Sequence, residues 1–519
     1  MSVRKSLLKL RLYCGLALPA LLAGCATTVA DPLAVPLTAE QSAVIVTVTN
    51  NTTIAYRLDE LTVRRLGSGQ EFLLKQTGNL SSRDTTLFVG VLPAGEYQLA
   101  TVRDDVWSRT VKLQEGPGLT GNFRVVGGAP TDLGRLIVTP INFKAVVGRS
   151  SRVISNYPLI RGFAPEYARL FEKEAAGGWM APIRDEDNIE DYARSRPGDV
   201  GCITEADGGI VLAGARLGTL MQRQPSGKWQ GLRGNSIAAL NCALPVNLPN
   251  ADLLVAGEFG TLLRHAKGDA TLRQVQTGDL PAGNLLRIVG NSQGGWYVAS
   301  LRGDTVTLYH SPELESGKWT EVRRDKVDRL MGNFHYRYWI WPTANGLAYT
   351  TGRGAIQMLD FATKRWDTVA LPENESFTEL ALSPNGMIAM RAGSEKHYVS
   401  HDAGKHWEMI KASLQGSYVD TGSIQQRADG SMVIVGQNLA HQSALFRSWD
   451  KGQSWRAEAG FRNRFRVEVL KSAPMLRYSD DNQDYFMTLS TPMSNGYWTE
   501  EFSTYDSEYA KLEEQRKRK

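Results

Sequence analysis

Apolar and polar residues alternate along short stretches of the chain from Ala43 onward. Val44, Val46 and Val48 fall on one face of a strand, and Thr47 falls on the other. Similar runs recur as far as residue 138, and polar or Gly/Pro-containing turns separate them. This pattern predicts an N-terminal β-sandwich of roughly six or seven strands over residues 42–148.

One turn within this region carries a recognisable pattern, the run LPAGEYQL at residues 92–99. Pro93 presets the backbone of a turn, Gly95 permits a positive φ, and Tyr97 and Leu99 point to the same side of the strand that follows. The run resembles the turn-plus-strand signature of prealbumin-like and carboxypeptidase-regulatory-like sandwiches. The resemblance implies a fold rather than a chemistry, because such modules usually act as spacers or adhesion domains.

A longer repeat begins after a linker at residues 149–178, in which a short helix is predicted over 166–173. Turn dipeptides followed by an apolar strand recur every 40 to 53 residues, at Asp207-Gly208, Asn250-Ala251, Gln293-Gly294, Asn345-Gly346, Asn385-Gly386 and Asp429-Gly430, with a weaker copy near Asn482. A tryptophan comes 21 to 26 residues after most of these turns, at Trp229, Trp319, Trp366, Trp407 and Trp455.

A period of about 45 residues with short strands and a recurring aromatic residue is typical of a β-propeller, in which each repeat forms one four-stranded blade. Residues 179–500 are therefore predicted to form a propeller of about seven blades, with six or eight as alternatives. Trp179 and Trp498 flank the repeats, which suits a ring closed by strands from both ends. The fold class predicted for the whole chain is all-β.

Two repeats carry the pattern S-x-D-x-G-x-x-W, formed by Ser400, Asp402, Gly404 and Trp407 and by Ser448, Asp450, Gly452 and Trp455. The carboxylate can accept turn N–H groups, the glycine permits a positive φ, and the tryptophan can pack between sheets. The pattern resembles the Asp box of BNR-repeat propellers, which include sialidases, other glycosidases and photosystem II assembly factors. The resemblance implies a structural role for these eight residues, because the Asp box lies away from the usual ligand face.

The first 24 residues have the composition of an export signal. Four basic residues precede an apolar stretch that is too short to span a bilayer, and the stretch ends in Leu22-Ala23-Gly24-Cys25. This ending resembles a bacterial lipobox, which implies cleavage before Cys25 and acylation of that residue. Ala26 follows in place of the Asp that is typical of inner-membrane lipoproteins, so the resemblance favours the outer membrane. An uncleaved anchor helix or an accidental match is the alternative.

The expected mature chain is therefore held at the outer membrane by lipid, facing the periplasm or the surface, and begins with a flexible tether over residues 25–41. Its formal charge falls from +5 to about +1 when the four basic signal residues are removed (5 − 4). This charge gives little basis for binding polyanions, and no nucleic-acid partner is expected. A charged tail is predicted at 501–519.

Cys202 and Cys242 are the two cysteines that remain outside the signal and the lipidation position. A disulfide between them is plausible in an oxidising compartment and would tie neighbouring blades, and two buried free thiols are the alternative.

No motif identifies a catalytic, metal or cofactor site. The run LIRGF at 159–163 departs from the arginine tripeptide of sialidases, which argues against sialidase activity. The acidic residues between 185 and 191 lack the spacing of a calcium loop and are expected to be solvated. His397, His401 and His406 match no metal motif.

The aromatic run at 333–341 is the candidate for partner contact, through Phe334, His335, Tyr336, Arg337 and Tyr338. Such residues are enriched at protein interfaces and sugar-binding surfaces, although packing between blades requires similar bulk. The predicted function is a binding or assembly platform for an envelope protein or a glycan. The alternative is a glycan-active hydrolase or lyase on the same scaffold.

Overall fold

A computed structural model describes residues 26–53, 58–103, 110–111, 120–141, 144–184, 188–315, 317–328, 336–372, 375–416, 418–440, 442–461, 465–471, 474–479, 487–492 and 498–504. Cys25, Phe334 and His335 lie outside these ranges. No helix among the described residues is long and apolar enough to cross a membrane.

Residues 27–179 form two β-sheets, here called the N-terminal unit. Their strands are β1 (Thr27–Thr28), β2 (Gln41–Asn50), β3 (Glu60–Arg65), β4 (Glu71–Lys75), β5 (Thr85–Pro93), β6 (Gly95–Arg103), β7 (Thr110–Val111), β8 (Asn122–Val125), β9 (Thr131–Ile141), β10 (Lys144–Arg149) and β11 (Gly178–Trp179). One sheet has the order β1-β4-β3-β6-β8-β11, with β7 paired to β6, and the other has the order β10-β9-β2-β5.

The two sheets share one hydrophobic core, which explains the alternation in the sequence. Val46 and Phe88 of the second sheet pack with Tyr97 and Phe123 of the first, and all four are almost fully buried. Tyr97 and Phe123 stack with their ring centroids 5.5 Å apart, and the Tyr97 hydroxyl donates to Pro93 O at 2.8 Å. A buried tyrosine therefore keeps a hydrogen-bond partner at the edge of the core.

The segment expected to be a flexible tether is attached to this unit in its described part. Strand β1 pairs with β4, and Val29 N donates to Leu73 O at 3.0 Å. The Tyr167 hydroxyl donates to Asp31 Oδ2 at 2.9 Å. The composition of small and polar residues did not indicate this pairing, because main-chain hydrogen bonds at a sheet edge do not require apolar side chains.

Short helices connect the two parts of the chain, namely α1 (Tyr157–Phe163), α2 (Pro165–Ala168) and α3 (Glu190–Ser195), with 3-10 turns at Arg169–Phe171 and Asp207–Gly209. The helix predicted over 166–173 is thus a short α-helix followed by a 3-10 turn. Trp179 packs on the core of the N-terminal unit and pairs with Phe123 in β11. The expectation that Trp179 helps to close the propeller ring is therefore wrong.

The described residues after Val200 form seven consecutive antiparallel sheets, numbered here as blades 1 to 7. Blades 1 to 3 contain β12 (Val200–Glu205), β13 (Val211–Ala215), β14 (Thr219–Arg223) and β15 (Trp229–Arg233); β16 (Leu240–Leu248), β17 (Ala251–Gly257), β18 (Leu262–His265) and β19 (Arg273–Gln274); and β20 (Asn284–Asn291), β21 (Gly295–Arg302), β22 (Thr305–Ser311) and β23 (Thr320–Lys326).

Blades 4 and 5 contain β24 (Trp339–Thr343), β25 (Gly346–Thr350), β26 (Ala355–Asp360) and β27 (Trp366–Ala370), and then β28 (Glu379–Leu382), β29 (Ile388–Arg391), β30 (Lys396–Ser400) and β31 (Glu408–Lys411). Blade 6 contains β32 (Tyr418–Thr421), β33 (Gln425–Gln426), β34 (Met432–Asn438), β35 (Ser443–Ser448) and β36 (Arg456–Phe461), and blade 7 contains β37 (Phe465–Val469), β38 (Pro474–Ser479), β39 (Met487–Pro492) and β40 (Trp498–Ser503).

Each blade packs on the next, and the last blade packs on the first. Leu489 and Met475 of blade 7 share a hydrophobic cluster with Val211 of blade 1. Arg223 of blade 1 forms an ion pair with Glu501 of blade 7, with 2.6 Å between Nε and Oε2. The ring is therefore a closed seven-bladed β-propeller, as the repeat pattern predicts, and it is closed by packing between complete blades.

The meander within each blade defines two faces of the ring. Loops between the second and third strands, together with the connections between blades, lie on the face that we call the upper face. Turns between the first and second and between the third and fourth strands lie on the opposite, lower face. The first strands of blades 1 to 4 lie beside one another, and in a propeller the first strand of each blade lines the central channel.

Candidate functional site

The upper face of the propeller holds the N-terminal unit through buried polar contacts. Glu258, in the loop between the second and third strands of blade 2, accepts hydrogen bonds from the Ser82 hydroxyl at 3.0 Å and from Arg83 N at 2.8 Å. Burial and the nearby Asp84 carboxylate raise the pKa of Glu258 to about 7, although these two hydrogen bonds oppose the shift. An acidic side chain of the propeller therefore holds a loop of the N-terminal unit.

A buried ion pair lies beside this contact. Arg216, in the corresponding loop of blade 1, places Nη2 3.0 Å from Asp84 Oδ1, and both side chains are less than 5 % exposed. Arg216 also donates to the main-chain oxygens of Asn50 and Thr52. One guanidinium group thus binds two separate loops of the N-terminal unit, which fixes their positions relative to blade 1.

Main-chain recognition extends the contact to blade 3. Asn284, at the start of its first strand, donates from Nδ2 to Leu80 O at 2.8 Å. The Ser81 hydroxyl accepts from Gly303 N at 2.7 Å and donates to Gly303 O at 3.2 Å. Residues 80–84 therefore cross blades 1 to 3 as a peptide segment that is held largely through polar atoms.

Several charged side chains meet where this segment reaches the channel. Asp199, just before the first strand of blade 1, lies 3.3 Å from Arg477 Nη1 of blade 7 and 3.9 Å from Arg83 Nη1 of the N-terminal unit. Burial alone would raise the pKa of Asp199, but the positive charges of Arg477 and Arg83 outweigh it and hold this pKa well below its usual range. Asp199 is therefore the shared counter-ion of the channel entrance.

Comparisons with known proteins show distant structural similarity and no family match. No protein-family model matches the chain, and a search of curated proteins gives no match. Among solved structures, virginiamycin B lyase from Staphylococcus aureus is 13% identical over 54% of this chain and 92% of its own, with a TM-score of 0.39. YCF48 bound to D1 peptide is 15% identical over 55% of this chain and 91% of its own, also with a TM-score of 0.39. YCF48 from Cyanidioschyzon merolae is 11% identical, covers 55% of this chain and 94% of its own, and has the same score.

One of these structures is named as a lyase, and another contains a bound D1 peptide. At such identities and scores they carry no argument about residues or substrates.

The aromatic segment predicted to contact a partner contributes mainly to packing in its described part. Tyr338 is 9% exposed and stacks on Tyr349, with 5.4 Å between ring centroids. Tyr336 packs against the same cluster between blades 3 and 4. Arg337 is the residue of this segment that lies nearer the surface, and it contacts Ser376 and, at 3.8 Å, Asp328 Oδ2. Tyr336 and Tyr338 therefore contribute to packing between blades 3 and 4, and partner contact by this segment stays a prediction.

The two Ser-x-Asp-x-Gly turns lie on the lower face, between the third and fourth strands of blades 5 and 6. The Ser400 hydroxyl accepts from Gly404 N at 2.8 Å, and Asp402 Oδ1 accepts from His406 N at 2.9 Å. Asp450 and Ser448 repeat this arrangement with Ser454 N and Gly452 N. Hydrogen bonds from the turn hold the pKa of Asp402 well below its usual range.

Each of these turns packs on the preceding blade. A side chain at Gly452 would place its Cβ 2.8 Å from Ile410 of blade 5, and Gly404 is similarly close to Ile356 of blade 4. Trp455 is buried in the cluster between blades 5 and 6. Trp407 packs in the cluster that blades 4 and 5 share. Both turns therefore stabilise the packing of neighbouring blades.

The Cys202 and Cys242 sulfurs are bonded, with 4.9 Å between the Cα atoms. The cysteines lie on the first strands of blades 1 and 2, so the disulfide crosses between two strands that line the channel. A link at this position holds the innermost strands together beneath the entrance.

Other polar residues singled out from the sequence also have structural contacts. Glu190 is fully buried, where it accepts from the Ser150 hydroxyl at 2.8 Å and pairs with Arg152, so the expectation of a solvated acidic loop is wrong for this residue. Asp185, Glu186 and Asp187 lie outside the described residues. His397 is buried beside Thr421 Oγ1 at 3.0 Å, and His406 is exposed on the lower face. Within the described ranges, no group of three or more His, Cys, Asp or Glu side chains could hold a metal ion.

Proposed function

We propose that the protein is a lipid-anchored envelope protein whose propeller is a binding or assembly platform for another protein. The observation that carries this proposal is the upper face, which already binds a protein segment. Its loops in blades 1 to 3 hold residues 80–84 through Glu258, Arg216 and Asn284. A surface that recognises main-chain and acidic groups of one loop has the chemistry needed to recognise a loop of a partner.

We propose that the partner binds the rest of the upper face, which blades 4 to 6 form. We call this surface the open sector. It comprises Asp328, Arg353, Glu395 and Leu439, which lie in upper-face loops. Leu439 is 82% exposed, and the Arg353 side chain is 59% exposed and lies 2.8 Å from Asp328 Oδ2. Leu439 thus offers an exposed apolar side chain on the face that also carries Asp328, Arg353 and Glu395, and interfaces commonly combine an apolar centre with a polar rim.

The proposed anchor would lie very close to the folded body. One residue separates Cys25 from β1. Strand β1 pairs with β4 and so belongs to the folded N-terminal unit. A lipid on Cys25 would therefore hold this unit within about 7 Å of the membrane surface, at about 3.5 Å per residue. We expect Cys25→Ser to move the protein from the membrane fraction to the soluble fraction.

The platform is tested by crosslinking and capture from solubilised envelopes with the chain starting at Ala26. The test variant carries Arg353→Ala and Leu439→Ala. The control is Trp449→Ala, which removes a side chain that is 63% exposed on the lower face. A protein captured in stoichiometric amount by the unchanged chain and the control, and lost with the test variant, is the expected result. Capture that is the same for both variants, or turnover of an envelope glycan without any captured protein, would refute the proposal.

A further inference from the structure

The channel entrance contains two arginines that face each other across a strand pair. Arg466 of β37 and Arg477 of β38 are directly opposite in register. Like charges at such positions destabilise a sheet unless a counter-ion is shared. Arg477 has Asp199 as its counter-ion at 3.3 Å, whereas Arg466 is exposed and makes no hydrogen bond or ion pair among the described residues.

The surrounding charges leave an excess of positive charge at this point. Four guanidinium groups, those of Arg83, Arg216, Arg466 and Arg477, act on the single carboxylate of Asp199. Asp84 neutralises one of them through its pair with Arg216. The four cations exceed these two anions by two charges, and Glu258 and Glu468 are the further carboxyl groups that interact with the same arginines.

The Glu468 carboxyl group forms no close ion pair with Arg466 or Arg477 among the described residues. Glu468 lies two residues from Arg466 on the same side of β37, and it makes no hydrogen bond or ion pair within the described part of the chain. Burial raises its pKa above the usual value, although the arginines at 477 and 466 oppose this shift.

Building on the platform function, we propose that the exposed Arg466, with the charge of Arg477 beside it, binds a carboxylate presented by a peptide segment of the partner. An arginine of the propeller already binds a carboxylate at this entrance. Asp84 lies in a loop of the N-terminal unit, and its carboxylate pairs with Arg216. Guanidinium groups match the planar geometry of a carboxylate and can bind both of its oxygens. The adjoining segment 80–84 shows that main chain can lie across this face.

Fluorescence anisotropy tests the site with a labelled peptide of alternating Glu and Gly residues and its counterpart of alternating Gln and Gly. The chain starting at Ala26 is compared with Arg466→Gln, Arg466→Lys and a control, Arg324→Gln. Arg324 is also exposed, but it pairs with Glu321 on the outer strand of blade 3. We expect the acidic peptide to bind in a salt-sensitive manner and Arg466→Gln to weaken it about tenfold, with Arg466→Lys intermediate and the control unchanged.

Equal binding of the two peptides, or equal binding by Arg466→Gln and the control, would overturn this site. Inorganic phosphate that displaces the peptide at the same concentration as acetate would overturn the assignment to a carboxylate. The titration contains no envelope partner, and its substitutions lie outside the open sector. A failure here therefore leaves the capture experiment and the platform function unaffected, and the two failures are distinguishable.

Discussion

The buried ion pair between Asp84 and Arg216 allows a direct test of how the N-terminal unit is held on the propeller. The substitution Asp84→Asn keeps the size and shape of the side chain and removes its negative charge. Asp84 and Arg216 are 3% and 4% exposed and lie 3.0 Å apart, so little water can replace the lost charge. The guanidinium group would remain buried beside neutral oxygens, those of the new amide and of the main chain, without its directly paired carboxylate.

Removing one partner of a buried ion pair typically costs about 3 to 5 kcal/mol, because the other charge is left uncompensated. Arg216 retains its hydrogen bonds to Asn50 O and Thr52 O, so we expect a value near the lower limit, about 3 kcal/mol. The matched control is Glu71→Gln in the same unit. Its pair with Arg64 has side chains 34% and 48% exposed, and such a surface pair contributes at most about 1 kcal/mol.

Urea unfolding followed by tryptophan fluorescence measures both effects, and limited proteolysis reports whether the N-terminal unit separates first. Asp84→Asn should lower the urea midpoint of the first transition and increase cleavage between the N-terminal unit and blade 1. Glu71→Gln should change neither measurement appreciably. If Asp84→Asn unfolds within about 0.5 kcal/mol of this control, the buried pair does not hold the two parts together.

Three further substitutions test other parts of the structure. Cys242→Ser should lower the free energy of unfolding by about 4 kcal/mol, since the disulfide closes a loop with a sequence separation of 40 residues, and the loss should equal that caused by reductant. Gly452→Ala should cost about 1 to 3 kcal/mol more than Gly430→Ala in urea unfolding, because both have φ near +80° but only the first would contact Ile410. Burial and Asp84 raise the pKa of Glu258 from 4.5 to about 7, so the folded chain keeps a proton that the unfolded chain loses. Stability should therefore fall as the pH rises from 4.5 to about 7, and Glu258→Gln should flatten this slope.

The repeat architecture was predictable because its signals are local. Turn dipeptides such as Asn345-Gly346 and Asn385-Gly386 lie between the first and second strands of their blades. Trp229 and Trp366 begin the fourth strands of blades 1 and 4. Period, turn chemistry and a recurring aromatic residue therefore identify blades without knowledge of their contacts.

The contact between the N-terminal unit and the propeller was not predictable in the same way. Asp84 and Arg216 are separated by 132 residues (216 − 84), and each lies in a polar loop that resembles any solvated turn. Charged loop residues are usually exposed, so their burial depends on the docking of two folded parts. For the aromatic segment at 333–341 the sequence is ambiguous, because bulky residues serve inter-blade packing as well as binding, and Tyr338 is used for packing.

The polar character of the contact bears on how the platform would work at a membrane. Buried ion pairs contribute little net stability compared with apolar packing, but they penalise every arrangement in which the charges fail to meet. The contacts of Arg216 and Glu258 therefore hold the propeller in one orientation on the N-terminal unit. Because β1 pairs with β4 immediately after the proposed lipid site, that unit would itself lie at a fixed height above the bilayer. The open sector and the channel entrance would then have a fixed orientation relative to the membrane. A long flexible tether would leave that orientation free.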